Sequence, residues 1–364
     1  MTLDRRALLA GLAGGAAMVS LPGRASRALE SELFAASRTD DRGNAQAAVF
    51  TLAGDEQTIE LPGRGHDIAL APGGGTWVMF ARRPGRFGIA ASLGAEPPIW
   101  FAAKPGRHFF GHGAFSSDGR LLYSTENDYE RAAGMIGVRD ATGGYKQIGE
   151  FSAHGMEPHD IALLADGRTM VIANGGIRTH PDHGADELNL PEMQPSLMYV
   201  DAATGDLLEE HRLAPSLHQL SIRHLAVGAN DTIIFGCQYR GPEEGTPALI
   251  GFHRRGEAPV IVEAPAAMQK ALRNYIGSVT ADQSGSIVAA SAPRGNQVTY
   301  WDVAGRRYLG ANHLMDGCGL APTHRSASFL LTSGEGWLVT AGPGIAISRR
   351  ASRFQWDNHA ILVR

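Results

Sequence analysis

Five histidines return at one place in a repeating pattern: GHDIAL at His66, GHGAF at His112, PHDIAL at His159, RHLAV at His224 and NHAILV at His359. Each stands just before or at the start of a short apolar run. Imidazole is the commonest metal-binding side chain, and several held on a fixed frame can coordinate a transition metal without large motion. Copper or iron is the expected ion. Taken singly, each histidine reads more simply as a satisfied or solvated side chain. The coincidence of position across five repeats is what favours a site.

Further candidates are weaker. Cys318, in MDGCGLAP, is a soft ligand type at the equivalent place of a repeat without histidine, and equally a small buried filler. The sequence HPDH puts His180 and His183 in a long polar insertion, residues 175–195, which would lie over the same end of the fold as a lid or as solvated surface. Asp67 and Asp160 follow their histidines directly. In a regular strand they face the other way, as hydrogen-bonding groups between repeats. Register adds a caution, because His66 and His159 precede their turn glycines, Gly74 and Gly167, by eight residues and His112 precedes Gly119 by seven. A slip of one residue reverses a side chain's direction, so His112 and His224 are the members expected to be lost first.

The elements that position these residues follow from the repeat. HDIALLADGRTMVIANGG from His159 and SLMYVDAATGDLLEEHRL from Ser196 spell strand, turn, strand, loop, strand, turn, strand, which is one four-stranded antiparallel blade. Unit starts at His66, His112, His159, His224, near Ser278, near Cys318 and at His359 lie about 40 to 65 residues apart, a blade-sized period. The chain stops at Arg364, straight after a first strand. Residues 30–62 supply three strands that lack a first strand of their own. The prediction is an all-β, seven-bladed β-propeller, one domain over residues 29–364, closed by pairing the C-terminal strand with the N-terminal strands. Two repeats lack the histidine and offer Asn274 and Tyr275, or Asp316 and Cys318, instead. Cys237 and Cys318 fall in different repeats, and no disulfide is expected between them.

The chain has 364 residues, 46 of them Gly and 19 Pro, and a net charge of -4. That composition suits short strands and tight turns, and no dense Lys/Arg block marks a nucleic-acid or membrane surface. Paired Arg5 and Arg6 precede an Ala/Leu/Gly stretch to Leu21 and small residues to Ala28. Residues 1–28 therefore read as an export signal of the twin-arginine type, with an ordinary secretory signal as the alternative. The mature chain is expected to be a periplasmic monomer without a membrane span. No phosphate-binding glycine loop, Gly-x-Ser-x-Gly elbow or c-type haem attachment motif is present.

GRGHD at 63–67, GHGAFSSDGRLLYSTENDY at 111–129, MEPHDI at 156–161, ANGGIRTHPDHG from Ala173 and the final NHAILV together resemble the bacterial family called domain of unknown function 1513. The resemblance runs over nearly the whole mature chain. It implies an exported propeller, often encoded beside imelysin-type periplasmic iron-uptake proteins. It implies no catalytic residues.

Two functions from different classes follow. The first is a periplasmic protein binding copper or iron at a histidine-lined channel mouth, in metal or iron uptake or an associated redox step, with an arginine-rich rim for an anionic ligand or partner. That rim comes from polar loops opening on the same face, which carry Arg82, Arg83, Arg86, Glu126, Asp128, Arg131, Arg178, Arg240 and Arg294. The second is a metal-free platform that docks an imelysin-type component of an iron-uptake system. A calcium-dependent propeller hydrolase would want carboxylates where this chain places histidines.

Overall fold

In six places the chain runs through four consecutive short strands, a seventh set is assembled from its N- and C-terminal strands, and each set can bury two apolar faces only against neighbouring sets. The computed structural model describes residues 31–364, and the export segment expected over residues 1–28 lies outside them. Seven four-stranded antiparallel sheets form the blades. Their inner strands are Gly65–Leu70 in blade 1, Arg107–Phe115 in blade 2, Pro158–Leu163 in blade 3, Leu220–Gly228 in blade 4, Ser278–Ala281 in blade 5, Gly317–Pro322 in blade 6 and Gln355–Leu362 in blade 7. Successive inner strands touch in chain order, and the last touches the first, so the blades close into a ring.

Blade 7 is built from both ends of the chain. The strand Gln355–Leu362 pairs antiparallel with Phe34–Thr39, followed by Ala45–Phe50 and Asp55–Glu60. This is the predicted closure, and it leaves neither chain end as a free inner edge. The core lies between blades, where mid-strand side chains such as Trp77, Phe80, Ile172, Phe235 and Trp301 are fully buried. Outer strands such as Asp55–Glu60 and Leu207–Arg212 alternate partly buried and exposed residues, as a sheet with one solvated edge requires.

Regular alternation breaks where the inner strands begin. Blades 1, 2, 3, 4, 6 and 7 carry register shifts at Gly65/Ile68, Phe109/Gly113, Pro158/Asp160, Ile222/His224, Gly317/Leu320 and opposite Ala36/Arg38. Blade 5 pairs Ser278–Ala281 without a shift. A bulge inserts extra residues against its partner strand and re-aims side chains. All five repeated histidines sit in or next to such a bulge, and the one blade without a bulge has none. No helix among the described residues is long and apolar enough to cross a membrane.

Candidate metal centre

The bulges turn His66, His112, His159, His224 and His359 toward the axis, where the imidazoles meet. Around the ring, centroids are 4.9 Å apart for His66 and His112, 5.0 Å for His112 and His159, 4.7 Å for His159 and His224, 4.9 Å for His224 and His359, and 4.7 Å for His359 and His66. His112 also lies 5.6 Å from His224 and 4.8 Å from His359. It is pushed into the middle of the group instead of occupying one corner of a flat pentagon. His112 and His224, the members expected to turn away, are among the most buried of the set at 1% and 2% exposure. The extra residues in their bulges compensate the slipped spacing that the turn glycines show.

Two backbone features make the approach possible. His359 adopts a φ of 71°, an uncommon value for a side-chain-bearing residue, which swings its ring inward. Gly111, with φ 106°, leaves its Cβ position to the His66 imidazole, which packs directly on it.

Asp67 and Asp160 correct the alternation argument. Both belong to neighbouring blades, as expected of bonds between repeats, but both point at the ring. Asp67 Oδ2 lies 3.0 Å from His112 Nδ1 and Asp160 Oδ1 3.3 Å from the same atom. Asp160 also accepts the Leu225 N–H of blade 4 at 2.8 Å. The bulges at Gly65/Ile68 and Pro158/Asp160 let two consecutive residues address the axis, which a regular strand forbids.

These carboxylates divide the imidazoles electrostatically. Burial alone drives a proton off His112, but Asp160 and Asp67 overcome it and push the His112 pKa up to about 10. Burial, reinforced by neighbouring positive groups, holds His66, His159 and His224 well below the ordinary value of 6.5. Burial likewise brings His359 down to about 4. At neutral pH the ring therefore holds one proton beyond the neutral state, on His112.

Each imidazole keeps one buried nitrogen without a hydrogen-bond partner: His66 Nδ1, His112 Nε2, His159 Nε2, His224 Nδ1 and His359 Nε2. Buried polar atoms are normally paired, so five orphans in one place call for an account. Nitrogen atoms of His66, His112 and His359 come within 4.8 Å of one another, as do those of His112, His159 and His224. The second set is less suited to a metal. Arg223 lies 3.3 Å from His159 Nδ1, and a guanidinium only donates, so the His159 proton stands on Nε2. In the first set, Asp67 and Asp160 accept the His112 Nδ1 proton and aim Nε2 inward. Ser278 Oγ meets His359 Nδ1 at 3.3 Å.

The other predicted candidates lie elsewhere. The Cys318 thiol donates to Trp356 O at 3.2 Å and Asp357 O at 3.4 Å, and burial pushes it up to about 12. It belongs to none of the ligand groupings among the described residues. His180 and His183 sit on the 175–195 loop, with His180 against Tyr129 and His183 exposed. They join no grouping with the ring either. Cys237 and Cys318 are free and buried. Of the polar segments expected at the mouth, Glu126 and Asp128 are tied up in a buried network with Arg139 and Arg107.

Above the ring opens a cavity of 390 Å³ whose floor includes His66, His159 and His224 and whose walls include Arg82, Arg83, Arg223, Arg240 and Arg294. Sequence reading placed Arg82, Arg83, Arg240 and Arg294 at this mouth and missed Arg223 and Glu157. Glu157 is fully buried, accepts from Arg83 at 2.8 Å and forms an ion pair with Arg223 at 3.0 Å. The signal was available: in MEPHDI and SIRHLAV a charged residue stands one or two places before the histidine in an otherwise apolar strand start.

The family model described as a protein of unknown function, DUF1513, matches residues 59–363, the family whose motifs the repeats resemble. No curated protein matches the chain.

Proposed function

We propose that this chain, which belongs to the DUF1513 family, binds one transition-metal ion, copper or iron, through His66, His112 and His359. The observation that carries the reading is the set of buried imidazole nitrogens without partners, gathered around a His112 whose other nitrogen faces Asp67 and Asp160. A carboxylate on the far nitrogen of a ligating histidine fixes its tautomer and raises its basicity. All-imidazole donors suit copper ahead of iron on the general affinity order, and no thiolate stands among them. Two carboxylates beside the ring match the charge of a divalent ion that takes the place of the His112 proton.

Three histidine ligands leave a coordination position open, and His66 connects the centre to the cavity above. Such an arrangement suits exchange or delivery of a metal, or a redox step on a small ligand, better than a closed structural site. Together with the export signal read in residues 1–28, and the imelysin-type iron-uptake neighbours that the family resemblance implies, this supports metal handling in the periplasm. The test is metal analysis of chelated and reloaded protein. One equivalent of copper or iron is expected in wild type and none in His66→Ala/His359→Ala. Failure of wild type to retain any metal under non-denaturing exchange would leave the metal-free docking platform in its place.

A further inference from the structure

The cavity over the histidine ring carries more positive charge than its own carboxylates answer. Arg82, Arg83, Arg223, Arg240 and Arg294 all line it. Glu157 is shared between Arg83 and Arg223, and Glu187 meets Arg240 Nε at 3.3 Å. Asp357 serves Arg82 at 3.4 Å but is already paired with Arg64. Arg294 meets no carboxylate among the described residues; its guanidinium lies 4.3 Å over the Tyr275 ring. The Arg223 side chain is only 4% exposed, and its Nε has no partner. Buried charge without compensation is costly, so a wall of this kind is built for something that supplies the missing negative charge.

From this we infer a second ligand site, distinct from the metal centre: the arginine-walled cavity binds a small multivalent oxyanion, a polycarboxylate or a phosphate. Planar guanidinium forks match carboxylate and phosphate oxygens two at a time. A volume of 390 Å³ stands at the small end of ligand sites and has room for about a dozen waters, which suits a small molecule and excludes a polymer or a macrocycle. His66 belongs both to the proposed metal ligands and to the cavity lining, so an anion bound there lies beside the metal centre.

Glu187 acts as the internal competitor for this ligand. It sits on the 175–195 loop, where Asn189 holds the loop in shape by accepting from Arg178 N at 2.7 Å and donating to Gly176 O at 3.0 Å. From there its carboxylate takes one of the guanidiniums an incoming anion needs. The loop that reads in the sequence as a polar insertion thus provides the cover of the cavity and a carboxylate that the ligand displaces.

The experiment is calorimetric titration of chelated, metal-free protein with citrate, inorganic phosphate and acetate, in parallel with metal analysis of the same preparation. Saturable binding of citrate or phosphate, at least about tenfold tighter than acetate, is expected. Arg240→Gln/Arg294→Gln should weaken it about tenfold or more with an unchanged melting temperature, and Glu187→Gln should strengthen it several-fold. Preference for citrate assigns the site to polycarboxylates, and preference for phosphate assigns it to phosphates. No saturation below about 10 mM, or equal affinity in wild type and the arginine double variant, overturns the proposal. Because the titration uses metal-free protein, its failure is separate from failure of the metal reading, which the metal analysis reports.

Discussion

Asp67 Oδ2 and His112 Nδ1 stand 3.0 Å apart across the boundary between blades 1 and 2, with Asp160 closing on the same nitrogen from blade 3. One imidazole thus ties three blades together and holds a proton that its four neighbours do not. A metal ion bound at His112 Nε2 must displace that proton, since the nitrogen cannot serve both. At pH 7, below the His112 value of about 10, binding should release about one proton. The other imidazoles are already neutral there, being held well below 6.5, or at about 4 in His359. Apparent affinity should therefore rise about tenfold per pH unit from pH 6 to pH 9 and level off near 10. Titrations in buffers of different ionisation enthalpy count the protons. A site whose affinity collapses near pH 6.5 and is flat above it would not be this one.

The same pair bears on stability. His112→Gln leaves two part-buried carboxylates facing each other without a cation, and breaking the pair in this way costs at most about 3 to 5 kcal/mol, the range for a fully buried pair. The sign with pH is fixed by direction. The folded His112 value is raised from 6.5 to about 10, so its contribution is complete below pH 6.5 and is lost as pH rises through 10. His359 runs the other way, its contribution being complete above 6.5 and lost as pH falls toward 4. The gap in melting temperature between wild type and His112→Gln should accordingly be constant in mild acid and narrow steadily from pH 6.5 to pH 10. A gap that widens with pH would contradict the assignment.

Asp67→Asn and Asp160→Asn separate orientation from ligation. Neither residue is a proposed ligand, yet loss of a carboxylate behind a metal-binding histidine typically lowers metal affinity 10- to 100-fold. Each single variant should bind metal within that range of wild type and release fewer protons on binding, because the His112 value falls when either carboxylate is removed. Competition against a chelator of known affinity measures both.

How far the sequence carries depends on which feature is asked for. The blade count, the closure of blade 7 and the meeting of the five histidines follow from a repeat, and a repeat survives small irregularities. Side-chain direction does not. Asp67 was expected to face away from the ring because alternation is strict in a regular strand, but the shift between Gly65 and Ile68 places His66 and Asp67 together against the axis. Bulges have no sequence signature as strong as a turn glycine. Arg223 was passed over for the same reason: as the extra residue between Ile222 and His224 it points into the cavity, where a regular strand would aim it between blades. Cys318 shows the converse. It occupies the homologous place in a bulged strand, yet its thiol is taken by the carbonyls of Trp356 and Asp357.

Within the ring, the histidines should not be equivalent. Arg223 donates to His159 Nδ1 and leaves Nε2 carrying the proton, whereas His66, His224 and His359 present a nitrogen free to accept a metal and His112 presents Nε2 once its extra proton is released. His159→Ala should retain one equivalent of metal with at most a modest loss of affinity, while His66→Ala or His359→Ala should lose it. Gly111→Ala belongs with the second group, because its new methyl would occupy the place of the His66 imidazole and its φ of 106° disfavours any side chain. The spectrum of the copper-loaded protein gives a second readout, which should be unchanged in His159→Ala and absent or shifted in the others. Equal loss across all single variants would mean a cluster spanning the whole ring.

The closure seam makes the site depend on the chain's two ends. Trp356, on the C-terminal strand, packs its ring 4.5 Å from Phe50 and lies under the Arg38 guanidinium at 5.5 Å, both contributed by N-terminal strands. It is 4% exposed. Its removal deletes a large buried aromatic, a change that costs about 3 to 5 kcal/mol, and the loss falls on the one blade without chain continuity between its inner strand and the rest. His359 lies three residues further along the same strand. Trp356→Ala should therefore lower the melting temperature and also raise the metal dissociation rate, since fraying of that strand withdraws a ligand from the ring. An equally large deletion within a continuous blade, Trp77→Ala in blade 1, should cost comparable stability with less effect on metal release at temperatures well below melting. Dissociation rates measured by chelator capture decide this. Equal rates for the two variants would mean that blade 7 is held as firmly as its neighbours.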